Sequence, residues 1–411
     1  MKKAFKLFGI IAIIAMIGFS MVSCGDDPEP EKQTPVASDY TIGNLNQEED
    51  SVKAVTITPK SDKSTGAVSI KYAGSATIPQ KAGTYAVTFD VAEAPGWNAA
   101  TGLSAGNLIV YLPPWKAVAN STFGTIHINV IAWGNSKFVA GGDYGKMAYS
   151  SDGTTWTAVA DSTFGTSSLT SIAYGNGKFV AGGYGGKVAT STDGITWTAV
   201  TNINIGTTAI AYGNDKFVVG SAGKVATSTD GTTWTTVDVG SIFGTVLGIR
   251  AIAYGNNKFV AGGGDSSAGV YSSKMATSTD GTTWTAVDVS SIFGTSTIDA
   301  IAYGNNKFVV GGIGGKMATS TDGTIWTAVA DSTFGTSNNT INAIAYGNGK
   351  FVAGGNGKMA TSTDGTTWTA VDVNSILGTT GTISEIHAIA YGNNKFVVGG
   401  TGGKMAYSTG N

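Results

Sequence analysis

From residue 113 onward, short apolar runs alternate with short polar turns, and the same four runs recur in the same order. The first run is IAYG. The second is KFVAGG, reached through GNN, GNG or GND. The third is GKMATS, and the fourth is TTWTAV, reached through STDG. The region has no apolar period near 3.6, contains no proline after Pro114 and is dense in Gly, Thr, Ser and Val, so strands are expected and helices are not. The Asn/Gly connections suit two-residue hairpins, which need positive φ. The first run starts at Ile131, Ile172, Ile210, Ile252, Ile301, Ile344 and Ile389. The fourth follows an Asp-Gly turn six times, at Trp156, Trp197, Trp234, Trp284, Trp326 and Trp368. A seventh copy, Trp115-Lys116-Ala117-Val118, stands before the first repeat, and the chain stops at Ser408-Thr409-Gly410-Asn411, where the next turn would form.

The tryptophans are 41, 41, 37, 50, 42 and 42 residues apart, a period that matches four-stranded propeller blades. A single blade cannot bury both faces, and an open stack would leave two apolar faces in water. Pairing the Trp115 strand with the last three-strand repeat removes both. The expectation is an all-β chain whose residues 113–411 form a seven-bladed β-propeller closed between its N- and C-terminal strands.

The part before the repeats divides differently. Residues 1–23 carry Lys2, Lys3 and Lys6 ahead of an apolar run and read as a signal peptide. Residues 24–38, polar, acidic and Pro-containing, read as a flexible tether. Residues 39–112 hold the alternating runs VKAVTITP, AVSIKYAG, GTYAVTFDVA and GNLIVYL, the pattern of a small separate β-domain. Pro113-Pro114 marks the junction.

Three stretches resemble known families. Ser-Thr-Asp-Gly-Thr-Thr-Trp resembles the Asp-box, or BNR, repeat of sialidase-like propellers, although it is one residue shorter between Asp and Trp. The resemblance covers about residues 113–411 and implies a structural role for Asp152, Asp193, Asp230, Asp280, Asp322 and Asp364. Asx-turn chemistry leads to the same role, with each Asp capping its own turn. The stretch GTYAVTFDVAEAPGWNAATGLSAGNLIV resembles bacterial Ig-like modules of the MBG type, which implies an Ig-like β-sandwich acting as a spacer. Met21-Val22-Ser23-Cys24 resembles a bacterial lipobox. That implies lipidation of Cys24, the only cysteine, and a membrane-anchored lipoprotein at the outer membrane or cell surface. The alternative is an incidental Cys beside an ordinary cleavage site.

Composition narrows the chemistry. Charged residues are 13% and the formal net charge is −2, with no basic patch, so nucleic acid is disfavoured as a partner. A sialidase resemblance would require three arginines, and the chain has one, Arg250. Two histidines, His127 and His387, give little support to a metal site, and no cofactor is expected. Carboxylates at equivalent repeat positions, Asp161 with Asp331 and Asp238 with Asp288 and Asp372, read as structural. Asp299 and Glu385 remain as a pair for glycoside hydrolysis.

Comparison of the repeats locates variation. The YGN-x-K hairpin and the STDG turn barely change and share one face of the disk. The connections at the opposite face vary, as in residues 201–208, 263–273 and 374–387. Two residues before each Ile stands a polar residue that changes from repeat to repeat: Asn129, Thr170, Thr208, Arg250, Asp299, Asn342 and His387. Strand order places them around the channel mouth on the variable face, either as ligand contacts or, for Arg250 and Asp299, as an ion pair closing the channel. Tyr184 and Tyr271 are candidate loop aromatics. The reading is a monomeric, surface-anchored binding protein for a glycan or protein, without catalysis. Its alternatives are a divergent Asp-box glycosidase, a periplasmic assembly scaffold, and neutral drift of the loops.

Overall fold

A computed structural model describes residues 30–409, except 50, 112, 113, 202, 204, 267, 337, 338, 373–376 and 378–384. The leader and Cys24 lie outside the described residues, and no described helix is long and apolar enough to cross a membrane. The chain divides into two compact units at the Leu112–Pro113 boundary.

The smaller unit has six strands. Tyr40–Gly43 pairs antiparallel with Thr56–Pro59. The other four form a sheet in the order Asn46–Glu48, Ala100–Tyr111, Gly83–Val91 and Val68–Tyr72, its first pair parallel. Alternation along Gly83–Val91 buries Val87, Phe89 and Val91, and Tyr40 meets Phe89 edge-on at 5.1 Å. Part of the segment read as a tether lies against this unit: Gln33 bridges to Trp97, and Lys32 pairs with Glu93.

The larger unit contains seven four-stranded antiparallel sheets. Their innermost strands are Ile128–Gly134, Leu169–Gly175, Ala209–Gly213, Gly248–Gly255, Ile298–Gly304, Ile341–Gly347 and Ile386–Gly392. We number the sheets one to seven in that order. In sheets one to six the strands follow the chain outward. Sheet seven takes its outer strand, Trp115–Ala117, from before sheet one, and that strand pairs with Met405–Ser408. The second strand of each sheet is apolar without alternation because neighbouring sheets cover both of its faces. Phe179, Val180 and Ala181, for example, are fully buried.

Glycine sets the spacing between sheets. A Cβ on the Gly that ends each inner strand would collide with an aromatic ring of the next sheet. At Gly213 it would lie 2.0 Å from Cγ of Tyr254, and at Gly392 it would lie 2.1 Å from Cδ2 of Trp133. The Gly392 contact joins sheet seven to sheet one. Each of these aromatics also stacks on the Phe of its own second strand, as Tyr174 does on Phe179 at 4.7 Å.

The repeated Asn has two tasks. Asn135, Asn176, Asn214, Asn256, Asn305 and Asn393 all take positive φ in the hairpin. Each also donates its side-chain amide to a backbone carbonyl of the next sheet's Asp-Gly turn, at 2.9–3.4 Å. The last of these runs from Asn393 to the carbonyl of Ser151 and again links sheet seven to sheet one.

One expectation needs correction: helix is not absent from the repeats. Gly240–Phe243 and Ser290–Phe293 are single α-helical turns. Asp238 and Asp288 each accept the backbone N–H two residues on, at 2.8 and 2.9 Å, and Phe243 and Phe293 are buried. A single turn is too short to leave a 3.6-residue pattern, so tertiary burial of the Phe decides the conformation.

Candidate functional site: a polar cavity over the channel

The Asp-Gly turns are closed from within. In each, one carboxylate oxygen accepts the two following backbone N–H groups and the preceding Ser hydroxyl. Asp152 makes these bonds at 2.8, 2.8 and 2.9 Å. Backbone N–H donation holds Asp193 down to about 2, led by Thr196 and opposed by burial. Asp230, Asp280 and Asp364 are lowered further by the same backbone donation, Asp322 first by the Thr324 hydroxyl and then by backbone N–H groups, and Asp152 is lowered although burial, its largest single influence, opposes it. Asp161 and Asp331 likewise accept the N–H of Thr163 and Thr333, both at 2.7 Å.

At the opposite end of the ring, all seven variable polar residues line one cavity of about 620 Å³, together with Tyr184. A β-bulge puts them there. In six sheets the register slips at this residue, so it has no partner across the strand. In sheet three, Thr208 lies just before the ladder and bonds to Gly220. The facing Gly-Gly pair makes room for the bulge: a Cβ at Gly400 would lie 1.7 Å from the carbonyl oxygen of Glu385. A second cavity of about 240 Å³ shares these seven residues and is lined as well by the seven inner-strand isoleucines.

Most of the polar wall is committed to holding the ring together. Asn129 donates to the carbonyl of Leu169 at 3.2 Å and Asn342 to that of Ile386 at 3.1 Å. The Thr170 hydroxyl bonds the carbonyl of Thr207, and Thr208 that of Ile249. In each case the acceptor is the next sheet's residue just before its own variable polar residue. Arg250 instead reaches the Asp299 carboxylate at 3.2 Å. Burial pushes the Asp299 carboxyl up, against the pull of Arg250 and Thr297.

The seam between sheets seven and one differs. His387 bonds Thr401 at 3.3 Å, lies 3.8 Å from Glu385 and faces His127 with ring centroids 6.0 Å apart. Burial lowers the His387 pKa, against the attraction of Glu385. Asp143 accepts the second amide bond of Asn129 at 2.8 Å. Among the described residues, no Lys or Arg pairs with Asp143 or Glu385. No described group of three or more His, Cys, Asp or Glu side chains is arranged to hold a metal.

Tyr271 lies on the longer hairpin of sheet four. It is exposed and does not line the cavity. Tyr144 was not singled out by the sequence, yet it stands beside Asp143 with φ +55 and is strongly exposed. The matching positions are Gly185, Gly314 and Gly402, all with positive φ. A bulky residue there costs about 1–2 kcal/mol. A tyrosine at a glycine position of the repeat was the available signal.

No protein-family model and no curated protein sequence matches the chain. Among solved structures it is similar to a catalytically inactive virginiamycin B lyase from Staphylococcus aureus, with TM-score 0.57 and 11% identity over 71% of this chain and 98% of that one. YCF48 from Cyanidioschyzon merolae gives TM-score 0.53 and 17% identity over 72% and 98%. The extracellular domain of BT4673 from B. thetaiotaomicron gives 0.55 and 13% over 72% and 40%. The larger unit thus has the β-propeller fold, which by itself fixes no function.

Proposed function

We propose that the larger unit is a seven-bladed propeller, closed by Trp115–Ala117, that binds a protein or glycan at its variable face without catalysis. The observation that carries this reading is the cavity of about 620 Å³, walled by residues that differ between otherwise matching repeats. Variable side chains on a rigid frame are where recognition normally resides. A protein ligand gains support from YCF48, a propeller that has been solved bound to D1 peptide. The Asp-Gly turns serve as Asp-box caps, and the smaller unit serves as an Ig-like spacer. Lipidated Cys24 anchors a monomer at the cell surface, and Cys24→Ser should release the protein from the membrane fraction. An unmodified Cys24 in the native protein would refute the anchor.

Peptide and glycan arrays probed with the purified protein test the binding reading. Retention on one class should be lost in Tyr184→Ala, while the melting temperature stays unchanged. A glycosidase is the competing reading, because Asp299 and Glu385 line the same cavity. Asp299 is engaged by Arg250 and Thr297, which disfavours it as a free acid or nucleophile. Glycoside turnover abolished by Asp299→Asn would establish the enzyme instead.

A further inference from the structure

Charge and hydrogen-bonding capacity are unevenly distributed around the cavity. Three carboxylates, Asp143, Asp299 and Glu385, line it against one guanidinium, Arg250. Arg250 is taken up by Asp299. The other two, at the seam of sheets seven and one, have no Lys or Arg partner among the described residues: Asp143 accepts from Asn129 at 2.8 Å, and Glu385 lies 3.8 Å from His387. Meanwhile the amides and hydroxyls of Asn129, Thr170, Thr208 and Asn342 are bonded to backbone carbonyls. A neutral glycan, which needs free donors and acceptors, finds few of them here.

Apolar exposure is uneven as well. Among the larger unit's described residues, Tyr144, Tyr184, Val246, Val270, Tyr271 and Ile313 are large, exposed and on the cavity end. Only Ile195 and Ile325 are so exposed at the other end. Tyr184 and Ile313 line the cavity itself. Tyr144 follows Asp143 in the chain and lines a separate recess; a tyrosine beside carboxylates favours a guanidinium or ammonium carried on an apolar stem.

Resting on the binding reading above, we infer that the ligand is an extended protein segment that inserts an Arg or Lys side chain between Asp143 and Glu385. Its apolar neighbours cover Tyr144 and Tyr184. Charge complementarity then sets the choice of partner and the rate of encounter.

The test uses fluorescein-labelled, otherwise uncharged peptides Gly-Leu-X-Leu-Gly, with X as Arg, norleucine or Glu, read by anisotropy against the whole protein. The Arg peptide should bind at least tenfold more tightly than the norleucine peptide and should weaken as salt rises. Asp143→Asn combined with Glu385→Gln should erase that preference and leave the melting temperature unchanged. If this variant fails to fold, Tyr144→Gly provides the second reading: it should weaken the Arg peptide without lowering stability. Equal binding of the Arg and norleucine peptides, or an Arg preference that survives the double substitution, overturns the cationic ligand. Equal Arg- and norleucine-peptide binding that is lost in Tyr184→Ala would retain the variable-face reading and sink only the cation. Absence of binding by every probe at 1 mM, on the order of the weakest specific affinities, would remove both.

Discussion

The two ends of the propeller are made by the same strands, yet they are held together differently. At the turn end, the same parts recur: an aromatic ring against glycine in all seven sheets, and in six an Asn amide on the neighbour's carbonyl and an Asp capping its own turn. At the cavity end, five seams are also bonded, but through side chains that vary: Asn, Thr, Thr, Arg with Asp, and Asn; at the seam of sheets seven and one, His387 faces His127 instead. Uniform joints make a ring of equal blades. Varied joints leave some seams electrically closed and one, between sheets seven and one, open to a charged visitor.

Several changes would break or sharpen this contrast. The largest effect should come from removing residues 113–120. That deletion unpairs the third strand of sheet seven and uncovers the turn-end aromatics, and losing the burial of Trp115 alone amounts to about 2–3 kcal/mol. A truncated protein that melts like the parent would disprove the closure. Next comes glycine. Gly392→Ala should cost about 1–3 kcal/mol, because its Cβ overlaps Trp133. Gly402→Ala, at the cavity end with nothing nearby, should cost no more than about 1–2 kcal/mol from its positive φ alone. Equal losses in chemical denaturation would show that packing is no tighter at the turn end.

Acid gives a third, smaller contrast. A carboxyl held below its unfolded value of about 3.9 stabilises the fold above that pH and loses this contribution as pH falls toward 2. Asp193→Asn should therefore cost roughly 1 kcal/mol at pH 6, and its stability curve should approach that of the parent as pH falls to about 2 and merge with it below. Parallel curves would mean that the Asp charge does nothing for the turn. The smallest effect, and of opposite sign, is expected at Tyr144→Gly. Relief of the left-handed backbone outweighs the added freedom of the unfolded chain by up to about 1 kcal/mol. A clear loss of stability there would make Tyr144 a packing residue.

Much of this was legible in the residues. The four runs per repeat became four strands, and the YGN and STDG turns fell at one end, because local φ demands and strand period act over a few residues. The variable polar position and its place at the channel mouth were visible too, but the bulge that unpairs it was not. A bulge inserts one residue and breaks the period of two, so no alternation predicts where Arg250 or His387 will point. The committed hydrogen bonds were equally hidden, since Asn129 finds its acceptor forty residues away at Leu169. Tyr271 looked as promising as Tyr184. Only the lengths of the sheet four hairpin strands, Lys258–Asp265 and Ser272–Ser278, carry it away from the cavity lining.

The borrowed strand of sheet seven also sets a timetable. Trp115–Ala117 leaves the ribosome well before its partner Met405–Ser408, and at 5–20 residues per second the wait is roughly 15–60 s. Throughout that interval the third strands of sheets one to six emerge carrying nearly the same GKMATS pattern, and each is a wrong mate of almost the right shape. Only a strand that arrives with its own WTAV partner close behind in the chain is protected from capture. The near-identity of the repeats, harmless once the circle is shut, makes the order of synthesis part of what specifies it.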